Sequence, residues 1–177
     1  DALMQRVFDS LFDAIDGRPN TRGGRYHLNM LSTTCHVYFG TRVGATPDGR
    51  RAGLPISDGT SPAHGADRCG PTAVCSSLGK IDQVRTGGTL LNQRFLPQVL
   101  EGPGGIESLA SLIRSYFRMG GHHIQFNVVG TDTLRDAQAR PDQYRDLLVR
   151  VAGYSDYFVD IGRDLQEEII HRTVQEG

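Results

Sequence analysis

Residues 149–158 read Val-Arg-Val-Ala-Gly-Tyr-Ser-Asp-Tyr-Phe, an apolar, β-branched run that stops at Gly153 and resumes at once with aromatics. The plain structural role of such a glycine is a tight turn at a strand end, where it takes a positive φ without a Cβ penalty. A chemical role is also open to it. An unpaired electron on a peptide Cα is stabilised when the amide nitrogen donates into it and the carbonyl withdraws from it. That delocalisation needs a planar α-carbon, and any side chain would clash with the flanking peptide groups, so glycine alone suits. The centre must be kept from oxygen and water, a task for the apolar Val149, Val151, Tyr154, Tyr157 and Phe158. Removing the hydrogen atom demands an outside oxidant of the power that cofactor radical chemistry supplies.

The other reactive side chains make no such constellation. Cys35, Cys69 and Cys75 are irregularly spaced with no Cys-x-x-Cys pair, so they form no zinc or cluster site and read as free thiols. His122 and His123 are adjacent, and neighbours on a strand face opposite ways, which opposes joint ligation of one ion. One of them is expected buried beside the Gly153 loop. Asp48, Arg50 and Arg51 fit a Pro-Asp-Gly-Arg turn closed by local hydrogen bonds, with anion binding as the alternative. Asp156 either pairs with Arg150 or Arg163 or is a solvated carboxylate.

Alternating helices and strands are needed to place these groups. Val7, Phe8, Leu11, Phe12 and Ile15 recur at helical spacing, so residues 2–16 read as an amphipathic helix ended by Gly17 and Pro19. Residues 25–39 alternate, predicting a long strand with Leu28, Met30, Ser32, Thr34, His36 and Tyr38 on one face. Pro71 suits the first turn of a helix running to Leu78. Strands are expected at Leu90–Phe95, Ile124–Val129 and Leu147–Val151, and helices at Ile106–Phe117, Thr131–Ala139, Pro141–Leu147 and Leu165–Thr173, the last capped by Asp164. The fold class is therefore α/β.

Composition narrows the partners. The 177 residues carry a net charge of −1, leaving no electrostatic footprint for nucleic acid or an anionic membrane. No apolar run approaches the length of a membrane span, the N-terminus has no signal-peptide pattern, and few cysteines fit a reducing cytoplasm. The 22 glycines and the long Gly, Pro, Asp, Ser and Arg stretch over residues 40–70 suit a loop packed on parts of a larger protein.

The chain resembles the glycyl radical enzymes, the pyruvate formate-lyase superfamily, whose radical loop runs Arg-Val-Ser/Ala-Gly-Tyr/Phe. Thr46-Pro47-Asp48-Gly49-Arg50-Arg51-Ala52-Gly53, Ile56-Ser57-Asp58-Gly59-Thr60-Ser61-Pro62, Gly70-Pro71-Thr72-Ala73, Thr86-Gly87-Gly88-Thr89-Leu90-Leu91-Asn92 and His122-His123-Ile124-Gln125-Phe126-Asn127-Val128-Val129 precede that loop in the family's order. The resemblance implies the C-terminal part of a ten-stranded β/α barrel, with residues 1–45 ending the barrel body and 46–177 forming the glycine radical domain. It implies that Gly153 stores the radical, supported by Arg150, Val151, Tyr154 and Ser155. Tyr26, His27, Thr34 and His36 become candidates to line a substrate cavity. No cofactor is expected to be bound by the chain itself. The radical would be installed by an activating enzyme that carries an iron–sulfur cluster and S-adenosylmethionine.

Family members pass the radical to a cysteine in a Gly-Cys-Val-Glu-like segment, and none of the three cysteines here has that context. The resemblance thus implies an N-terminal barrel portion with the working thiol as partner, and a homodimer when complete. The strand around Met30–Gly40 looks most like the dehydratase and C–X lyase branch, which cleaves C–O, C–N or C–S bonds of small substrates. A formate C-acetyltransferase of the pyruvate formate-lyase type, or a replacement radical-domain subunit for an oxygen-damaged enzyme, is the alternative.

Overall fold

The structure, a computed structural model, describes residues 1–175. The first helix, α1 (Ala2–Ile15), carries two parallel apolar stripes. Met4, Phe8 and Phe12 turn inward, whereas Leu3, Val7 and Leu11 are 69%, 59% and 47% exposed. The chain then folds back so that Met30 bonds Gly88 and Gly87 bonds Leu28, a brief parallel pairing.

The expected strand over residues 25–39 does not form. Thr33 turns the chain at φ +54°, and residues Cys35–Arg42 make helix α2. The alternation was real as a pattern, but the positions buried in the structure are His36 and Gly40, one helical turn apart. Gly40 lies flat on the Leu54–Pro55 backbone, where a Cβ would collide. Tertiary contact overrides the local period. Residues 43–69 hold neither helix nor strand, as the composition indicates.

Helix α3 (Gly70–Leu78) leads to strand β1 (Asn92–Phe95), helix α4 (Gly102–Arg118) and strand β2 (Gln125–Val128), a parallel crossover unit. Helix α5 (Thr131–Ala139) follows. The helix expected over 141–147 shrinks to a single turn at Pro141–Gln143. Strands β3 (Leu148–Arg150) and β4 (Ser155–Tyr157) form an antiparallel hairpin. Helix α6 (Arg163–His171) begins after Gly162, so Asp164 lies in the first turn instead of at the cap, still facing the positive helix end. Strand β5 (Val174–Gln175) adds to β1, giving the parallel order β2-β1-β5.

Two cores meet at consecutive residues. Leu91 joins Phe8, Val74, Cys75, Leu78 and Tyr116 under the α1, α3 and α4 layer. Leu90 points the other way, into Val149, Val151, Phe158, Leu134 and Ile169 beneath the hairpin. This period-two split of apolar area locks the register of the strand lead-in. Arg94, 1% exposed, ties β1 to the end of α6 by donating to the carbonyls of Ile169 and Ile170 at 3.1 and 2.8 Å. Burial, and secondarily Arg172, lowers its pKa to about 10.

Candidate functional site

The β3–β4 hairpin places Gly153 at its tip. Arg150 pairs with Ser155, and the Val151 amide donates to the Tyr154 carbonyl at 2.8 Å, leaving Ala152 and Gly153 to turn. Gly153 takes φ +84°, a region in which a side chain is strained. A Cβ there would meet only Leu90, at an ordinary 3.7 Å. Space therefore does not demand a glycine at this tip; backbone conformation does. Beneath it Val149, Val151, Ala152 and Phe158 are buried. The apolar wrap is one-sided, however. Gly153 is exposed, and Tyr154 and Tyr157, expected to shield it, are 37% and 44% exposed, Tyr157 on the outward face of β4 and Tyr154 on the turn itself.

Four polar side chains grip the backbone before the turn. The Asn127 amide bonds Arg150 twice, accepting from its N–H and donating to its carbonyl, both at 2.7 Å. Gln125 Oε1 accepts from the Gly153 amide at 3.2 Å and from Arg150 Nε at 2.8 Å. Gln125 Nε2 donates to Asn92 Oδ1, whose Nδ2 donates to the Asp58 carboxylate and, at 3.3 Å, to the Val151 carbonyl. Arg172 reaches the carbonyls of Val151 and Arg150 at 2.9 and 3.2 Å. Asp58 stands here because Gly59, at φ +62°, lets its loop press onto the Leu90 backbone, with the Thr60 amide bonded to that carbonyl at 2.8 Å.

Arg172 is held in turn by Glu168, with N–O distances of 3.0 and 2.8 Å. His64 Nε2 lies 3.3 Å from Glu168 and His36 Nε2 3.4 Å from it, the latter without hydrogen-bond alignment. Burial raises the Glu168 pKa, but His36, His64 and the Arg172 charge outweigh it and hold the carboxyl well below the usual range. Every buried charge in this cluster has a partner, as burial requires.

Arg150, Val151, Tyr154 and Ser155 thus gather around Gly153, Arg150 Nη1 reaching Ser155 Oγ at 3.4 Å. The four cavity candidates do not cluster. Tyr26 is half exposed, His27 bonds Asp16 at 3.1 Å, and Thr34 precedes α2. His36 is fully buried and touches the glycine loop only through Glu168 and Arg172. His123 sits half-buried near Arg150, its Nδ1 unpartnered and its pKa lowered by burial, then by Arg150 and His122. Asp156 accepts from the Tyr157 amide at 2.8 Å. Arg50 spends its guanidinium on loop carbonyls, among them Leu54 at 2.6 Å. Among the described residues no group of three or more His, Cys, Asp or Glu side chains is placed to hold a metal ion.

Sequence reading left Gln125, Asn127, Asn92, Asp58, Glu168 and Arg172 without roles. Gln125 and Asn127 carried a signal: two amides at i and i+2 on one face of a strand otherwise made for burial. Glu168 and Arg172 carried one too, at helical i, i+4 spacing.

The glycine radical family matches residues 56–159, more than half of the chain and the whole span from the Asp58 loop to the hairpin. The chain belongs to the glycyl radical family. Trans-4-hydroxy-L-proline dehydratase of Clostridioides difficile is 53% identical over 99% of this chain and 22% of its own length. An isethionate sulfite-lyase of Bilophila wadsworthia is 48% identical over 79% of this chain and 17% of its own length. The crystal structure of the C. difficile hydroxyproline dehydratase, with trans-4-hydroxy-L-proline bound, superposes with a TM-score of 0.94 and 52% identity, covering 99% of this chain and 22% of that one. This glycyl radical chain therefore spans about a fifth of the length of its first relatives, which are dehydratases and lyases.

Proposed function

We propose that Gly153 stores the radical of an enzyme that eliminates water or another small leaving group from a small hydroxylated, aminated or sulfonated substrate. The observation that carries this reading is the Gly153 turn itself. A side-chain-free Cα stands exposed at positive φ on a hairpin whose preceding backbone is gripped by Asn127, Gln125, Asn92 and Arg172. The radical would pass to a cysteine on a part of the enzyme beyond these residues. Cys75 is buried, with a thiol pKa pushed by burial up to about 11, and serves that role poorly. Residues 1–45 would belong to a β/α barrel body and 46–177 to the radical domain. The bare Leu3, Val7 and Leu11 stripe lines a groove of about 870 Å³ with Leu28, Met30 and Leu31, apolar area suited to further protein packing there. Further protein would also cover the open side of Gly153. Tyr26, His27 and Thr34 remain proposed as lining for the substrate cavity.

Before any turnover, an activating partner bearing an iron–sulfur cluster and S-adenosylmethionine would remove one α-hydrogen. Anaerobic activation of the complete enzyme should give a doublet electron paramagnetic resonance signal that collapses with α-deuterated glycine. In air, a Cα radical adds O₂ and the peroxyl product breaks the backbone at that residue. Mass spectrometry should find the cut at Gly153, with unactivated protein intact. A cut elsewhere, or equal cutting without activation, makes this glycine only a turn.

A further inference from the structure

The polar groups below Gly153 form a directional chain that ends on a charge. Its orientation is forced at both ends. The Gly153 N–H and Arg150 Nε–H only donate, so the Gln125 atom they meet, at 3.2 and 2.8 Å, is its oxygen. The Asp58 carboxylate only accepts, so the Asn92 atom facing it is its nitrogen. Between them, the Gln125 nitrogen donates to the Asn92 oxygen. Each donor in the series from Gly153 through Gln125 and Asn92 points toward Asp58. All three side chains are buried, at 6%, 8% and 5% exposure for Gln125, Asn92 and Asp58. Hydrogen bonds aligned head to tail polarise one another, and low dielectric strengthens the effect.

We propose that Asp58, Asn92 and Gln125 form a relay that tunes the Gly153 radical through its amide N–H. This rests on the reading of Gly153 as the radical site. On activation the Gly153 Cα–H bond breaks homolytically. The hydrogen atom passes whole to an external carbon-centred radical, completing a C–H bond there, and one unpaired electron stays on Cα. The amide nitrogen stabilises that electron by donating its lone pair, which makes the N–H more acidic. An acceptor sharpened by a buried carboxylate two side chains away pulls on that proton and increases the donation. Arg172 Nη2, 3.4 Å from Asp58, balances the carboxylate without entering the chain. Gln125 and Asn92 are positioning residues here, acting on the radical through the Gly153 amide.

The complete enzyme, labelled with ¹⁵N-glycine and activated anaerobically, tests the relay by electron–nuclear double resonance. The nitrogen coupling should be largest in the parent, smaller in Asp58→Asn and smallest in Gln125→Leu. Hydrogen-exchange mass spectrometry of residues 149–158 is run alongside, and loop protection in Asp58→Asn should stay at the parent level. An unchanged coupling in both variants, with the glycine doublet present, overturns the relay alone. So does a coupling that changes only where loop protection is lost. If Gln125→Leu yields no radical, the Asp58→Asn coupling decides by the same rule. A parent signal that does not respond to glycine labelling overturns the radical assignment of Gly153, and the relay with it.

Discussion

Arg172 donates to the Val151 carbonyl at 2.9 Å, so the C-terminal end of α6 holds the backbone two residues before Gly153. The same guanidinium is gripped by Glu168 from one turn earlier and touches Asp58 at 3.4 Å. A single side chain thereby joins the last helix, the loop over residues 43–69 and the hairpin. Local strength at the tip depends on long-range contacts, which is how a segment comes to open independently of its core.

Removing that side chain should loosen the loop more than the fold. Arg172→Ala strands Glu168, 2% exposed, without its charged partner, and breaking such a buried pair costs about 3–5 kcal/mol. Denaturant melts of the complete enzyme should show that loss. Hydrogen exchange at residues 149–158 should accelerate more than exchange at Asn92–Phe95.

Acid should act through the same pair. The Glu168 carboxyl is held below its ordinary value in the folded state, so its contribution is fully present above the unfolded value of about 4.3 and fades as pH falls through the folded one. Stability measured from pH 7 downward should begin to drop on this account below about pH 4.5. Glu168→Gln should flatten that part of the slope, and an unaltered slope would remove Glu168 from the acid transition.

Gly153→Ala separates conformation from chemistry. The added methyl meets Leu90 at 3.7 Å without collision, so the cost is that of a left-handed alanine, about 1–2 kcal/mol. The variant should fold, melt slightly earlier and give no glycine doublet after activation. A surviving doublet would move the radical to another residue.

Thiol accessibility should divide the cysteines unequally. Cys35 and Cys69 are exposed, while Cys75 is buried with its pKa raised to about 11. Brief alkylation of the isolated chain near pH 8 should modify the first two, with Cys75 reacting only after denaturant is added. Mass spectrometry counts the adducts. Early reaction at Cys75 would mean that the layer of α1, α3 and α4 opens readily.

Much of this molecule is written locally. The turn at Gly153 follows from one glycine ending a β-branched run, because only that residue takes φ +84° cheaply. Helices α1, α3, α4 and α5 follow from apolar spacing and from Pro71. Strands β1 and β2 were legible in place but not in facing, since β1 (Asn92–Phe95) is buried throughout and β2 buries Gln125 and Asn127 while Val128 is exposed. The motif series was legible as well, enough to set the chain among glycyl radical proteins. What the sequence alone could not decide is which polar residues meet. Asp58, Asn92, Gln125 and Glu168 are far apart in the chain and look like ordinary loop, strand and helix residues until the fold buries them together. Residues 35–42 are helical for the same reason. His36 and Gly40 pack on Glu168 and the Leu54–Pro55 backbone, contacts that exist only once distant segments have closed, and that burial outweighs the local alternation.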